Sequence, residues 1–145
     1  MTTMKTRPSP PLALGIEIGG TKLQVGIGTP SGKLLPHALV RRQVIRKDGA
    51  KGILRSLISM IEEVLAVENI PLTDITRIGI AFGGVLDVNR GVILQSYQIE
   101  GWKDFPLKAW AEKHWRKPVS LQNDASAAGL AESLHGNGRG YDRVF

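Results

Sequence analysis

The sequence predicts an α/β domain built on a mixed β-sheet that helices flank. Two apolar runs near the start are separated only by Gly19-Gly20-Thr21, which is typical of a hairpin. Residues 49–69 then carry apolar side chains at helical spacing, and strand-like and helix-like segments alternate after them. Antiparallel strands followed by α/β units predict a mixed sheet covered by helices.

The first half of the chain is predicted to form three antiparallel strands and one long helix. We expect the strands at 12–18, 22–28 and 34–45, with the second turn at Ser31-Gly32-Lys33. Pro71 ends the segment that contains the helix. The apolar face of this helix comprises Ile53, Leu54, Leu57, Ile58, Ile61, Val64 and Leu65.

The second half alternates strands with helices. The first helix of this half is expected to face the core with Leu107, Trp110, Ala111 and either His114 or Trp115. The expected elements are a strand at 75–82 ending in Gly83-Gly84, a turn at 87–91, a short strand at 92–94, a helix capped by Asp104 and running to about 116, a strand at 119–121, and a helix at 125–132.

Composition excludes several classes of protein. The chain is 42% hydrophobic and 22% charged, which is too apolar for disorder. No apolar run approaches the roughly 18 residues of a membrane span, so we expect no membrane partner. Residues 1–11, with three prolines, are interpreted as a flexible tail and not a signal peptide. The absence of cysteine excludes disulfides and thiolate zinc sites, and we expect a cytoplasmic protein.

The basic side chains do not indicate a nucleic-acid partner. The net charge is +6, but the bases are spread along the chain. Neither a recognition helix nor an aromatic platform is evident. The pattern favours a solvated basic surface with some attraction for phosphate ligands.

Glu17 stands near the end of an otherwise apolar strand and directly before the glycine bend. A buried carboxylate without a partner is costly, so Glu17 needs a partner or a cleft. The glycines let backbone N–H groups approach an anion, and Thr21 adds a hydroxyl. This is not a Walker A loop, because the spacing G-x-x-x-x-G-K-[ST] is absent. By spacing alone, a simple hairpin turn with an exposed Glu17 is the favoured interpretation, and an anion site is the alternative.

Three other positions each allow two interpretations. Gly83-Gly84 indicates a turn or a close backbone approach. Trp102 either packs in the core or walls a ligand site. Asp124, between a strand and a helix, caps the helix or acts as a base, and these two roles are compatible.

Taken together, these signals resemble the ROK family of sugar kinases, within the actin-like ATPase superfamily and its ribonuclease H-like fold. The motifs that carry the resemblance are GIEIGGTK at 15–22, GIAFGGVLDVNRGVI at 79–93, IEGW at 99–102 followed by DFPL, and PVSLQNDASAAGLAE at 118–132. The resemblance covers residues 12–140 and implies ATP-dependent phosphorylation of a hexose, glucose or a related sugar. Sugar, ATP and Mg²⁺ are the implied ligands.

The resemblance also implies roles for individual residues. Asp124 is the implied catalytic base, and Glu17 the implied residue of the Mg²⁺ site, where the family more commonly has Asp. The implied sugar-binding residues are Asn123, Gly83, Gly84 and Gln98, and the implied phosphate-binding residues are Gly19, Gly20, Thr21 and Lys22. Gln98 replaces the family's Asn, which changes the reach of the amide by one methylene.

The family's proteins are about twice this length. The resemblance therefore implies an N-terminal domain at 12–140, with 141–145 starting the connection to an absent second domain. Any structural zinc would lie outside this chain, and we expect the chain by itself to have little or no kinase activity. A non-catalytic sugar-binding or regulatory protein is the alternative. A homodimer through an exposed sheet edge, or through the surface that the second domain would cover, is also expected to be possible.

Overall fold

The computed structural model describes residues 10–143 and places ten helices and strands among them. Short 3₁₀ turns precede the first helix and the fourth strand, at Arg46–Asp48 and Leu72–Asp74. In chain order the elements are β1 (Leu12–Ile18), β2 (Lys22–Gly28), β3 (Leu34–Gln43), α1 (Gly49–Val67), β4 (Ile75–Phe82), β5 (Val85–Asp87), β6 (Val92–Gln95), α2 (Leu107–Trp115), β7 (Val119–Asn123) and α3 (Asp124–His135).

The five long strands form one mixed sheet in the order β3-β2-β1-β4-β7. Both β1–β2 and β2–β3 are antiparallel, whereas β4 runs parallel to β1 and β7 runs parallel to β4. The predicted mixed sheet is therefore confirmed. The expected short hairpin is the separate two-stranded sheet of β5 and β6.

One face of the sheet carries the core. Ile16, Ile80 and Leu121 are paired in one row across β1, β4 and β7, and all three are buried. The neighbouring row on the opposite face is Gly15, Gly79 and Ser120, because side chains alternate between faces along each strand. Helix α1 covers the core face with Ala50, Ile53, Leu54, Leu57, Met60, Ile61 and Val64. Apart from Ala50, each of these buried side chains contributes about 1.5–3 kcal/mol.

The strand β3 lies at an edge of the sheet and contains Pro36. The register between β2 and β3 shifts between Gly26 and Gly28, and Pro36 falls in this irregular part. Proline is tolerated there because an edge strand leaves backbone N–H groups that need not pair. β3 ends at Gln43 and not at the expected residue 45, because the chain bends into the 3₁₀ turn at Arg46–Asp48.

Helix α2 begins at Leu107, two residues later than a helix capped by Asp104 would begin. Asp104 has a left-handed backbone, with φ of 54°, and Pro106 is the residue that precedes the helix. Phe105 is paired with Ile93 through two backbone hydrogen bonds. The N–H of Ile93 donates to the carbonyl oxygen of Phe105 at 2.8 Å, and the N–H of Phe105 donates to the carbonyl oxygen of Ile93 at 3.0 Å. A residue before proline is biased towards extended backbone, so the helix starts only at Leu107.

The inner face of α2 resolves one open alternative. Leu107, Ala111 and Trp115 are buried, whereas His114 is exposed. His114 instead stacks on Trp110, with ring centroids 5.3 Å apart. Trp115 is therefore the inward residue of the pair that the sequence left open.

The ends of the described chain are irregular. Pro10 and Pro11 belong to no strand or helix, and the rest of the expected tail, residues 1–9, lies outside the described residues. Residues 141–143, where a connection to a second domain was expected to start, belong to no strand or helix, and 144–145 are not described. None of the helices within residues 10–143 combines the length and apolarity of a membrane crossing.

Candidate functional site

The carboxyl ends of three parallel strands meet at one edge of the sheet. Ile18 of β1 is paired with Phe82 of β4, and Phe82 is paired with Asn123 of β7. The next residue on each strand is Gly19, Gly83 and Asp124, respectively. The register thus places the first glycine bend, the second glycine pair and the carboxylate along one edge. In α/β sheets this edge is where ligands bind.

Gly83 lies between the other two elements. Its N–H donates to the carbonyl oxygen of Ile18 at 2.9 Å, which extends the pairing of β4 with β1 by one residue. A β-carbon on Gly83 would lie 3.0 Å from Oδ2 of Asp124 and 3.5 Å from the Ile18 oxygen. The missing side chain therefore leaves the space that faces the Asp124 carboxylate.

Glycine is required at position 84 because a side chain would not fit there, and not because the backbone has a positive φ. A β-carbon there would lie 2.6 Å from the ring of Phe82 and 3.0 Å from the carbonyl oxygen of Gln95. Neither Gly83 nor Gly84 is among the described glycines with positive φ. Of the two readings of this pair, the close approach is correct.

Asn123, and not Asp124, caps helix α3. Asn123 has extended backbone, and its Oδ1 accepts from the N–H groups of Ala125 at 3.0 Å and Ser126 at 3.4 Å. Asp124 is already the first helical residue, so the prediction that it serves as the cap is wrong. The Asn123 amide also donates from Nδ2 to the Gly84 carbonyl oxygen at 3.2 Å. One side chain thus joins β7, α3 and the segment after β4.

The Asp124 carboxylate has one engaged and one open oxygen. Oδ1 accepts from the N–H of Ala125 at 2.8 Å, and Oδ2 is the oxygen that faces Gly83. Among the described residues, Oδ2 makes no hydrogen bond, and the residue as a whole is exposed. An exposed carboxylate oxygen of this kind can accept a proton from a bound hydroxyl group.

The bend between β1 and β2 is a tight hairpin. The N–H of Gly19 donates to the carbonyl oxygen of Lys22 at 3.0 Å, which leaves Gly20 and Thr21 at the tip. Within residues 10–143, the N–H groups of Gly20 and Thr21 form no hydrogen bond, and both residues are accessible. Neither Gly19 nor Gly20 has positive φ. Two free N–H groups at one tip can receive an anion.

Glu17 lies on the sheet face opposite the core and has two partners. Its Oε2 accepts from the amide of Gln24 on β2, and its Oε1 lies 3.9 Å from the Lys22 ammonium. Gln24 in turn accepts from Nε of Arg41 at 2.5 Å. The Glu17 side chain remains 37% exposed, so its carboxylate can still reach a cation at the hairpin.

The loop at 96–101, which we call the Gln98 loop, reaches the same hairpin. A β-carbon on Gly20 would collide with the side-chain amide of Gln98. Trp102, which follows this loop, is 1% exposed and makes edge contacts with the rings of Phe82 and Phe105. Trp102 is therefore a core residue, as the first of its two interpretations predicts.

Two contacts of the site were missed by sequence reasoning. Nε of Arg46 lies 3.4 Å from the Gly20 carbonyl oxygen, and Gln24 holds Glu17. Arg46 carried only the general signal of a basic segment. Gln24 could have been found from the alternation of β2, since it directly faces Glu17 across the hairpin.

The structure thus brings the predicted site residues together, but it does not show a complete metal site among them. Gly19, Gly20, Thr21, Lys22, Glu17, Gly83, Gly84, Gln98, Asn123 and Asp124 all belong to this edge or to the segments that follow it. Among the described residues, no group of three or more acidic, histidine or cysteine side chains could hold a metal ion. A concavity of about 780 Å³ lies elsewhere, along α3 beside Tyr141 and Asp142.

This sheet order, with glycine bends and a carboxylate at the ends of its parallel strands, defines an actin-like ATPase domain of the ribonuclease H-like fold. The ROK family model matches residues 13–145. The chain belongs to the ROK family.

Relatives agree with this assignment. The chain is 32% identical over 131 residues to a glucokinase of Thermotoga maritima, covering 90% of this chain and 39% of the relative. It is 32% identical over 126 residues to a beta-glucoside kinase of Listeria monocytogenes, covering 87% of this chain and 39% of that one. The chain therefore spans about two fifths of the length of these curated relatives.

The solved structures include both kinases and a regulator. A ROK family glucokinase from Streptomyces griseus, in complex with glucose and AMPPNP, aligns with a TM-score of 0.78 and 29% identity over 90% of this chain and 39% of that chain. A ROK family transcriptional regulator, a homologue of an E. coli protein, aligns with a TM-score of 0.70 and 23% identity over 88% of this chain and 32% of that chain. At that identity the second likeness shows the shared fold alone.

Proposed function

We propose that this domain belongs to an ATP-dependent hexose kinase and contributes one wall of its active-site cleft. The observation that carries the proposal is the open Oδ2 of Asp124, which faces Gly83 on the same sheet edge as the Gly20-Thr21 tip. A proton acceptor and an anion-binding tip on one edge are what phosphoryl transfer to a hydroxyl group requires. The likeness to a glucokinase solved with glucose and AMPPNP supports glucose or a related sugar as the acceptor.

In this reaction Asp124 takes the proton of a sugar hydroxyl while that oxygen attacks the γ-phosphorus of ATP. The bond between the γ-phosphorus and the bridging oxygen breaks, and ADP leaves. A general base of this kind contributes about 10²–10⁴-fold to the rate. Asn123 keeps one amide N–H beyond its bond to Gly84 and would hold a sugar hydroxyl with it, next to Gly83 and Gln98.

The phosphates would bind at the tip of the β1–β2 hairpin through the N–H groups of Gly20 and Thr21. Gly19 closes this turn, and Lys22, which is exposed at its end, adds a positive charge. Mg²⁺ usually binds through one or two carboxylates together with phosphate oxygens, and Glu17 fits this donor set. Bound there, Mg²⁺ would neutralise charge on the transferring phosphoryl group. Since MgATP is the donor, the proposal also places the protein in the cytoplasm.

The experiment that tests the proposal is a coupled assay of ADP release by the complete gene product with glucose, mannose and N-acetylated hexoses. We expect sugar-dependent ADP formation, and little or none from residues 1–145 alone, because this domain supplies only part of the cleft. No turnover with any hexose, in a folded complete gene product, would contradict the kinase proposal.

The alternative is a sugar-binding regulator without catalysis. Its support is a relative named as a putative xylose repressor of Caldicellulosiruptor sp., to which the chain is 29% identical over 127 residues. Calorimetric sugar binding by the complete gene product, with no ATP turnover, would establish this alternative. A homodimer through the edge strands β3 or β7 is a further possibility, which a solution mass measurement tests directly.

A further inference from the structure

The Gln98 loop touches the tip of the β1–β2 hairpin although the two are far apart in sequence. The side-chain amide of Gln98 lies directly over Gly20, and its Nε2 would be 2.9 Å from a β-carbon on that glycine. Only a residue without a side chain allows this approach. The proposed sugar loop and the proposed phosphate hairpin are therefore in direct contact.

The backbone of this loop is fixed, which limits the positions that the exposed Gln98 side chain can reach. The carbonyl oxygen of Glu100 accepts from the N–H of Ala50 at 2.9 Å, at the start of α1. A β-carbon on Gly101 would lie 3.1 Å from Cβ of Ala50, and Ile99 is buried in the core. These contacts hold the loop at its C-terminal side while Gln98 itself stays exposed.

The hairpin tip is held from its other side as well. Nε of Arg46 lies 3.4 Å from the Gly20 carbonyl oxygen, and the N–H of Val44 donates to the Thr21 carbonyl oxygen at 2.8 Å. Gly20 therefore lies between Arg46 and Gln98. Any change in the position of the Gln98 amide alters the surroundings of the two N–H groups that would receive phosphate.

We propose that Gln98 is a positioning residue that couples sugar binding to nucleotide binding through Gly20. The inference rests on the proposed kinase function and adds the coupling to it. A sugar hydroxyl bound to the exposed Gln98 amide would fix that amide over Gly20, beside the N–H groups of the tip. A nucleotide that binds afterwards does not itself have to order this amide, which gives positive coupling. Such couplings typically amount to about 5–150-fold in affinity, and they are reciprocal.

The test measures the Kd of a non-hydrolysable ATP analogue for the complete gene product, with and without saturating glucose. In the wild type, we expect glucose to tighten analogue binding by about 5-fold or more. In Gln98→Ala the ratio of the two Kd values should fall to about 1. The glucose concentration in this measurement must saturate the variant, whose affinity for sugar is measured separately. Gly20→Ala should remove the coupling too, because the added methyl group displaces the Gln98 amide. The control is Tyr97→Ala, which changes a loop residue that is 81% exposed and should keep the ratio.

The outcomes separate this inference from the function on which it rests. A coupling ratio that is unchanged in Gln98→Ala, while both ligands still bind, overturns the role of Gln98 and leaves the kinase proposal standing. A wild type that binds both ligands without coupling also overturns the role of Gln98 and leaves the kinase proposal standing. A folded wild type that binds neither sugar nor analogue overturns the proposed function and this inference together.

Discussion

The side chain of Asn123 donates a hydrogen bond to the backbone carbonyl oxygen of Gly84, with 3.2 Å between Nδ2 and O. This bond connects the end of β7 to the glycine pair that follows β4. The same side chain accepts from two N–H groups at the start of α3. Asn123 therefore has a structural role that is independent of any sugar, and substitution can separate this role from the proposed contact with a sugar.

Asn123→Ala should destabilise the protein more than Asn123→Ser. Serine caps a helix about as well as asparagine but is too short to reach the Gly84 oxygen, whereas alanine loses the cap, at about 0.5–2 kcal/mol. Both variants should lose sugar affinity, because both lack the amide N–H. Thermal unfolding and sugar titration of each variant measure the two effects. Equal melting temperatures for the two variants would contradict the capping role.

Asp124→Asn should lower kcat by about 10²–10⁴-fold and leave the fold intact. The helix keeps its cap in this variant because the cap is Asn123. Removal of a negative charge from the first turn of α3 costs about 0.3–1 kcal/mol at most. Steady-state kinetics of the complete gene product measure the effect, with Glu62→Gln, an exposed carboxylate on α1, as control. Near-normal kcat in Asp124→Asn would exclude this residue as the base.

Gly83→Ala and Gly84→Ala should fail in different ways. The methyl group of Gly83→Ala meets Oδ2 of Asp124, an exposed side chain that can rotate, so the fold should survive while the base is misplaced. A misplacement of about 1 Å can cost on the order of 10²-fold in rate. The methyl group of Gly84→Ala meets the Phe82 ring and backbone, so we expect a loss of about 1–3 kcal/mol in stability. Melting temperatures and kcat, measured for both variants, distinguish the two effects. A folded Gly83→Ala variant with full activity would argue against Asp124 as the base that faces Gly83.

Glu17→Gln should raise the Mg²⁺ concentration that half-maximal activity requires. The substitution removes a carboxylate ligand but keeps a side chain of the same length. Stability should change little, since an exposed ion pair such as Glu17–Lys22 contributes about 0–1 kcal/mol. The matched control is Glu63→Gln, which breaks the exposed pair with Arg42 away from the site. If the two variants show the same Mg²⁺ dependence, Glu17 is not part of the metal site.

Trp102→Ala should lower the stability of the protein by about 3–5 kcal/mol, whereas Trp102→Phe should cost much less. Phenylalanine keeps an aromatic ring against Phe82 and Phe105, whose centroids lie 5.1 and 5.4 Å from that of Trp102. No hydrogen bond is lost, because Nε1 of Trp102 has no partner among the described residues. Urea unfolding measures both changes. A loss in Trp102→Phe as large as that in Trp102→Ala would contradict the packing role of the aromatic ring.

Much of the fold follows from local patterns in the chain. The Gly19-Gly20-Thr21 bend, the apolar face of α1 and the strand before Gly83 were all predicted within a few residues of their observed positions. Their signals are local, since hydrophobic periodicity reports which face of an element is buried. The start of α2 was mispredicted because a capping residue at Asp104 competes with the constraint from Pro106, and the pairing of Phe105 with Ile93 decides between them.

The sequence by itself determined the family, the order of strands and helices, and the candidate residues for the proposed site. The tertiary structure alone decided which atoms meet: that Asn123 is the cap, that Oδ2 of Asp124 is open beside Gly83, and that Gln98 lies over Gly20. These relationships depend on the register of β1, β4 and β7, which brings distant segments to one edge of the sheet. Periodicity describes neighbours along a strand or helix, and it carries no information about which distant backbone fills the space that a missing side chain leaves.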